Sequence, residues 1–125
     1  MKKDIIILTA LPSEFSALES VFKTNGARWE GRASDGVVNL AVTGSIRELS
    51  IAAACCPTMG NISAAGTTAR MLAQFRPALA ILVGLGAVMN FEKYRLGDVV
   101  VADGLKSRQF QKISTRGFNA CASGH

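Results

Sequence analysis

Runs of apolar residues and helical periodicity divide the chain into alternating strands and helices. Residues 4–10 hold a continuous, β-branched apolar run flanked by charge, which predicts a buried strand. Pro12 suits the first position of a helix, where its missing N–H costs nothing. Apolar residues then recur at helical spacing: Phe15, Leu18, Val21 and Phe22. Asn25-Gly26 is expected to end that helix, since glycine adopts the left-handed cap easily.

A second group of elements follows in the middle of the chain. The runs "VVNLAVTG" (37–44) and "LSIAAACC" (49–56) predict two strands that pair through the polar link between them. Asn61 is a suitable N-cap for the next helix, and Pro77 should end it. One face of this helix is predicted to be apolar: Ile62, Ala65, Ala69, Leu72 and Phe75.

Two further apolar runs complete the pattern. The segments "ALAILVG" (78–84) and "GDVVVAD" (97–103) predict short strands. Strands separated by a helix of this length favour a right-handed crossover and a partly parallel sheet, so the predicted fold class is α/β. Residues 104–125 are polar, contain glycine and lack a sustained period, which predicts a loop or a poorly ordered tail.

Composition and charge exclude several classes of protein. The 125 residues suit one domain, and 49% of them are apolar, which is too many for a disordered chain. The net charge of +5 is concentrated in residues 104–125, which contain four basic residues and no acid. A near-neutral body argues against nucleic-acid binding. The longest apolar stretch, 78–89, is too short to span a bilayer as a helix, and no signal peptide is recognisable. We therefore expect a soluble, cytoplasmic protein.

Two loops have both a structural and a functional interpretation. The turn "VGLGAV" (83–88) lacks the third glycine of a dinucleotide-binding fingerprint, because Met89 stands there. Glycines after a buried strand still allow a ligand to approach the backbone at the carboxyl edge of an α/β sheet. The stretch "PTMGNISAAG" (57–66) contains either a tight loop that simply enters a helix or a substrate-facing loop. The second interpretation rests on the N–H groups at a helix N-terminus, which favour anionic or hydroxyl-rich ligands.

Glu14 also has two interpretations. An acid in the first turn of a helix is stabilised by the helix dipole, and the residue types alone favour this structural role. The alternative is a carboxylate at the mouth of the sheet that acts as a general acid or base, or anchors a ligand. The three cysteines, at 55, 56 and 121, show no CxxC spacing, so buried thiols are expected rather than a metal site.

Four stretches in a fixed order resemble the nucleoside phosphorylase superfamily, in particular its methylthioadenosine/S-adenosylhomocysteine nucleosidase branch. They are "IIILTALPSEFSAL", "MGNISAA", "FRPALAILVGLGAVMN" and "RLGDVVVAD". Together they cover most of residues 4–103. The resemblance therefore divides the chain into the N-terminal half of a nucleoside phosphorylase-like domain, 1–103, and a basic, poorly structured tail, 104–125. The resemblance implies a three-layer α/β/α fold with a mixed sheet whose core is partly parallel, and the sheet is expected to be incomplete.

The resemblance also implies a reaction and a site. Family members cleave the N-glycosidic bond of purine nucleosides through an oxocarbenium-like transition state. In the nucleosidases a glutamate in the first motif positions and deprotonates the attacking water, and Glu14 matches it. The resemblance places six residues in the substrate pocket: Leu11, Met59, Gly60, Gly84, Leu85 and Gly86. It implies a small-molecule nucleoside partner, no cofactor and no metal, with homo-oligomer formation left open.

Departures from the family pattern limit this expectation. Leu85 stands where many members have a serine that contacts ribose or phosphate, which favours water over phosphate as the nucleophile. Ala87-Val88 replaces a glycine pair, and no Asp or Glu follows Asp103. The chain resembles only the N-terminal half of a family domain, so we expect it to be inactive alone. A non-catalytic nucleoside-binding relic and a truncated product are the alternatives.

Overall fold

The computed structural model describes residues 1–58, 60–87 and 89–104. The chain divides into two compact units, Met1–Ala87 and Val88–His125. Among the described residues, the helices and strands all lie in the first unit: β1 (Ile5–Thr9), α1 (Pro12–Thr24), β2 (Arg28–Arg32), β3 (Val38–Thr43), β4 (Glu48–Cys55), α2 (Asn61–Phe75) and β5 (Leu79–Leu82). No helix among the described residues has both the length and the apolar character needed to cross a membrane.

The strands form one mixed sheet in the order β2-β3-β4-β1-β5. β1 is parallel to both of its neighbours, β4 and β5, while β3 is antiparallel to β2 and to β4. The predicted pairing of 37–44 with 49–56 and the partly parallel sheet are therefore confirmed. Because β1 lies between two parallel partners, the loop that follows it is flanked by the loops that follow β4 and β5.

The two helices pack on opposite faces of the sheet. Ile6 and Leu8 of β1 join a buried cluster with Met71 and Phe75 of α2. Ile7, the residue between them, joins a second cluster that includes the α1 side chain of Phe15. This alternation follows from the two-residue period of a strand, and it confirms the three-layer α/β/α architecture. Burial of each large apolar side chain contributes about 1.5–3 kcal/mol.

The buried face of α2 differs from the predicted one. Thr67, Met71 and Phe75 are buried, whereas Ile62 is 91% and Leu72 is 43% exposed. Of the predicted stripe, Ile62, Ala65, Ala69, Leu72 and Phe75, only Phe75 is buried. Both stripes have helical spacing, so periodicity could not choose between them. Asn61 is the first helical residue rather than the N-cap, a position that Gly60 occupies.

Two strand assignments also need correction. β2 was missed because its sequence, "RWEGR", is charged and includes a glycine, and its register shifts between Trp29 and Gly31. The predicted strand at 97–103 is wrong: this segment is not a strand, and Val99, Val100 and Val101 are at least 67% exposed. A strand needs a hydrogen-bonded neighbour, and no described residue pairs with this segment.

The described residues of the second unit, 89–104, contain turns. Tyr94 N donates to Asn90 O at 3.1 Å, and Arg95 N donates to Asp98 Oδ2 at 2.9 Å. The prediction of a poorly ordered tail over 104–125 falls, apart from Gly104, outside the described residues and stays a prediction.

Candidate active site at the carboxyl edge of the sheet

Three loops leave the same edge of the sheet. β1, β4 and β5 are parallel, so their carboxyl ends meet there, with Thr9 opposite Cys55 and Leu8 opposite Leu82. Hydrogen bonds continue past the strand ends: Cys56 N donates to Thr9 O at 2.8 Å, and Val83 N donates to Leu8 O at 2.9 Å. Open α/β sheets bind their ligands at such an edge, and the predicted site residues that the structure describes lie in or directly beside these loops.

The loop after β1 is short because α1 begins almost at once. Leu11 is the N-cap and is extended, with φ −119° and ψ 145°, and Pro12 occupies the first helical position as predicted. Glu14 is therefore the third helical residue. At this position a glutamate side chain reaches back to the N–H groups that precede the helix. The sequence placed Glu14 in the first turn correctly.

The Glu14 carboxylate accepts three backbone hydrogen bonds. Its Oε1 accepts from Ala10 N at 3.1 Å and from Leu11 N at 2.9 Å, both in the loop after β1. Its Oε2 accepts from Leu85 N at 2.7 Å, in the turn after β5. The last contact joins residues 71 positions apart in the sequence. One side chain thus connects two of the three loops at this edge.

These hydrogen bonds set the ionisation of Glu14. The Leu85 amide has the largest effect and lowers the pKa of the Glu14 carboxyl below its ordinary value; the Leu11 and Ala10 amides lower this pKa further. Partial desolvation acts in the opposite direction and does not reverse the shift. As a residue Glu14 is half-buried, and no ion pair with a described cation neutralises its carboxylate. The edge therefore carries a fixed negative charge near neutral pH.

Gly84 lies directly against this carboxylate. A Cβ atom built on Gly84 would come within 3.0 Å of Glu14 Oε2 and 3.6 Å of Glu14 Cδ. A Cβ contact of 3.0 Å is tighter than nine in ten such contacts in real proteins, so Glu14 would have to move by a few tenths of an ångström to accept it. The lack of a side chain at residue 84 therefore lets the turn after β5 meet Glu14 without this displacement.

The structure brings together four of the predicted site residues: Glu14, Leu11, Gly84 and Leu85. The Leu85 side chain is 87% exposed. Gly86 is exposed and has open space where a Cβ would stand, and Gly60 caps α2 with φ 113°. Sheet topology brings Gly60 and Gly86 to the same edge. Met59 lies outside the described residues, so its assignment stays a prediction.

Sequence reasoning missed two groups at this edge. The Ala10 amide has no sequence signal because any residue could supply it. Thr9 is 2% exposed, and its Oγ1 has no hydrogen-bond partner among the described residues. A threonine that ends an apolar run could have drawn attention to this position, since buried hydroxyls are usually hydrogen-bonded.

Comparison with known families identifies the superfamily to which this chain belongs. A sequence model of the phosphorylase superfamily matches residues 4–120. The chain belongs to this superfamily. The match confirms the resemblance carried by the four stretches, and it includes the carboxyl edge that holds Glu14. Members of the superfamily include nucleosidases and phosphorylases, which bind nucleoside substrates.

Two curated relatives share the same description. Both are named ATP nucleosidase Cap17, one from Escherichia coli strain KTE188 and one from Escherichia coli. Each is 28% identical to this chain over 101 residues, which is 79% of this chain and 20% of the relative. The chain thus spans about a fifth of the length of these relatives. No solved structure matches significantly.

Proposed function

We propose that this chain supplies part of an active site that cleaves the N-glycosidic bond of a purine nucleoside or nucleotide with water. The observation that carries the proposal is the Glu14 carboxylate, held ionised by backbone amides at the carboxyl edge of the sheet. Superfamily membership and a relative named as an ATP nucleosidase support the same reaction.

Glu14 would act on the positive charge that develops at the ribose. As the C1′–N bond breaks, an oxocarbenium-like C1′ forms, and a nearby anion stabilises it electrostatically. A water that Glu14 orients attacks C1′ and forms the new C–O bond. The pKa of Glu14 is lowered, so it is a weak base for free water. Once bonded to C1′, however, the oxygen is strongly acidic and releases its proton to the carboxylate.

The departing base needs a proton from another group. Proton donation to a leaving group typically contributes roughly 10²–10⁴ in rate. No Asp or Glu follows Asp103 in the sequence, so residues 104–125 offer no carboxyl for this step. We therefore expect the 125-residue chain to bind ligand without appreciable turnover by itself.

Water is preferred to phosphate as the nucleophile. Phosphate would need accessible cationic or hydroxyl ligands near C1′. At this edge Glu14 is anionic, Leu85 is apolar, and the Thr9 hydroxyl is buried, with Thr9 only 2% exposed. A dianion beside an unneutralised carboxylate would be repelled. This argument supports hydrolysis over phosphorolysis.

A nucleoside-binding module without catalysis is the second candidate. The three amides that hold Glu14 occupy most of its acceptor capacity, and Leu85 provides no side-chain hydroxyl. Such a site would recognise ribose hydroxyls without activating water.

Cytoplasmic location and homo-oligomer formation also stay predictions.

Ligand binding is the first test. The ¹⁵N-labelled 125-residue chain is titrated with adenosine and with ATP, and uridine serves as the comparison. The amide signals of Ala10, Leu11 and Leu85 are expected to shift with the purine ligands. No shift at these amides with either purine ligand would overturn both candidate functions.

Turnover is tested in a chimera. The stretch of the Cap17 nucleosidase that aligns with residues 4–120 of this chain is replaced by those residues, and retained ATP binding verifies folding. Release of free base from ATP, without added phosphate, is expected in the chimera and should be lost with Glu14→Gln. Glu19→Gln is the matched control, because Glu19 lies on the same helix and pairs with Arg32. A chimera that binds ATP but releases no base favours the binding module.

A further inference from the structure

We infer that Gly84 is a positioning residue: the absence of a side chain there lets the Leu85 amide hold the Glu14 carboxylate in one orientation. The sequence suggested that glycines in this turn allow a ligand to approach the backbone. At Gly84 the group that approaches is instead the protein's own carboxylate. The geometric inference stands by itself, and its importance for catalysis rests on the proposed function.

A side chain at residue 84 would crowd the Glu14 carboxyl group. A Cβ at residue 84 would lie 3.0 Å from Oε2, 3.6 Å from Cδ and 3.8 Å from Oε1 of Glu14. All three contacts involve the carboxyl group. The backbone of Gly84 does not have a left-handed φ, unlike that of Gly60. Glycine therefore matters at residue 84 for the space it leaves to Glu14 rather than for an unusual backbone conformation.

The Glu14 carboxyl cannot retreat from such a Cβ without loss. Oε2, the atom nearest to it, is also the atom that accepts from Leu85 N at 2.7 Å. Oε1 is held on the other side by the Ala10 and Leu11 amides. A displacement that relieves the contact with residue 84 must lengthen at least one of these hydrogen bonds.

These three hydrogen bonds also determine which part of the Glu14 carboxylate can act on a ligand. An ionised carboxylate has about four lone-pair positions. Donors in the described part of the chain fill two on Oε1 and one on Oε2. One position on Oε2 remains, so Glu14 can accept a single further hydrogen bond from a water or a ribose hydroxyl. Gly84 thereby fixes the direction from which that donor must come.

A matched pair of variants tests the inference. Gly84→Ala places a methyl group against Glu14, whereas Gly86→Ala, two residues later in the same turn, meets open space. The pKa of the Glu14 carboxyl is measured by ¹³C NMR titration of the 125-residue chain. Gly84→Ala is expected to raise this pKa towards its ordinary value, because the Leu85 hydrogen bond weakens. Gly86→Ala should leave it unchanged. Equal pKa values in all three proteins would overturn the inference.

A second measurement avoids dependence on the folding of Gly84→Ala. In the unaltered chain, the Leu85 amide proton signal should move along the same titration curve as the Glu14 carboxyl carbon. Glu14→Gln should abolish that movement. A Leu85 amide signal that stays constant while Glu14 titrates would show that the Leu85 amide does not hold the Glu14 carboxylate. Neither measurement involves turnover, so failure of the proposed reaction would leave this result standing, and the reverse also holds.

Discussion

Two carboxylates lie at opposite edges of the sheet, at the two ends of β1, and they are held in different ways. Asp4, before β1, accepts two hydrogen bonds from the Arg47 guanidinium, at 2.8 and 3.0 Å. It also accepts from the backbone N and the Oγ of Ser50, at 2.8 and 3.1 Å. Glu14, after β1, is held by backbone amides alone. Both groups have a lowered pKa, but only Asp4 has a described cation as its partner.

The difference separates a structural carboxylate from one that can act on a ligand. The Arg47 guanidinium is the main cause of the lowered pKa of Asp4, and Asp4 in turn raises the pKa of Arg47. Their charges cancel, so the pair ties the amino end of β1 to β4 and exerts little field beyond itself. Amides stabilise an anion without removing its net charge. Glu14 therefore keeps a charge that a developing cation can experience.

The largest expected effect is on turnover and distinguishes the two edges. In the chimera, Glu14→Gln should lower kcat for base release by roughly 10²–10⁴, the usual range for loss of an acid–base group. Asp4→Asn should leave kcat unchanged, because Asp4 lies at the opposite edge. A comparable loss of kcat in both variants would show that turnover depends on general stability rather than on the edge that holds Glu14.

For thermal stability, Asp4→Asn should have a larger effect than Glu14→Gln. Asp4→Asn leaves Arg47 without its charged partner and weakens the connection between β1 and β4. Its Tm is expected to fall further than that of Glu14→Gln, which keeps an acceptor oxygen for the amides. Differential scanning fluorimetry of the 125-residue chain measures both. A lower Tm for Glu14→Gln than for Asp4→Asn would contradict the structural role of Asp4.

Asp4 should make the stability of the folded chain sensitive to acid. Its folded pKa lies far below the ordinary value of 3.8, so the folded state binds this proton less readily than the unfolded state does. The resulting stabilisation is complete above the ordinary pKa and is lost as the pH falls through the folded pKa. The free energy of unfolding should therefore decrease as the pH falls below about 4. The decrease should be smaller in Asp4→Asn, as urea titrations at several pH values would show.

Local sequence signals predicted most of the first unit. Prolines and glycines marked both ends of α1, and continuous apolar runs marked β1 and β5. The predicted buried face of α2 was wrong because "MLAQF" and its surroundings offer apolar residues on two faces of the helix. Only packing against the sheet determines which of the two faces is buried. The valines of 97–103 were misassigned because β propensity predicts a strand without showing that a partner exists.

The candidate site was only half predictable for the same reason. The position of Glu14 in the first turn of α1 is local information, and the sequence contained it. Its contact with Leu85 depends on β1 and β5 lying side by side in parallel register, with Leu8 opposite Leu82. No local pattern encodes that pairing. The donor is moreover a backbone N–H, which leaves no trace in the identity of residue 85.

A smaller effect is expected at the hydroxyl that assists Asp4. Ser50→Ala removes the Oγ donor to Asp4 Oδ2 but keeps the backbone N–H and the Arg47 contacts. It also removes the Oγ that accepts from Asp4 N at 3.1 Å, although that N–H keeps its hydrogen bond to Ser50 O at 2.9 Å. Because both Asp4 groups keep other partners, the variant should cost about 1 kcal/mol. Chemical denaturation measures this cost directly. A loss as large as that of Asp4→Asn would mean that the hydroxyl, rather than the guanidinium, is the main partner of Asp4.

The smallest effect is expected where a side chain is truncated but its amide remains. The Leu85 side chain is 87% exposed, so Leu85→Ala should change stability by less than about 0.5 kcal/mol. It should also leave the pKa of Glu14 unchanged, because the donor belongs to the backbone. Leu85→Pro removes that N–H and should raise the pKa of Glu14 towards its ordinary value. If the alanine variant shifted the pKa of Glu14 as much as the proline variant, the Leu85 side chain rather than its amide would hold Glu14. The contrast between a Glu14 held by backbone amides and an Asp4 held by a side chain would then be wrong.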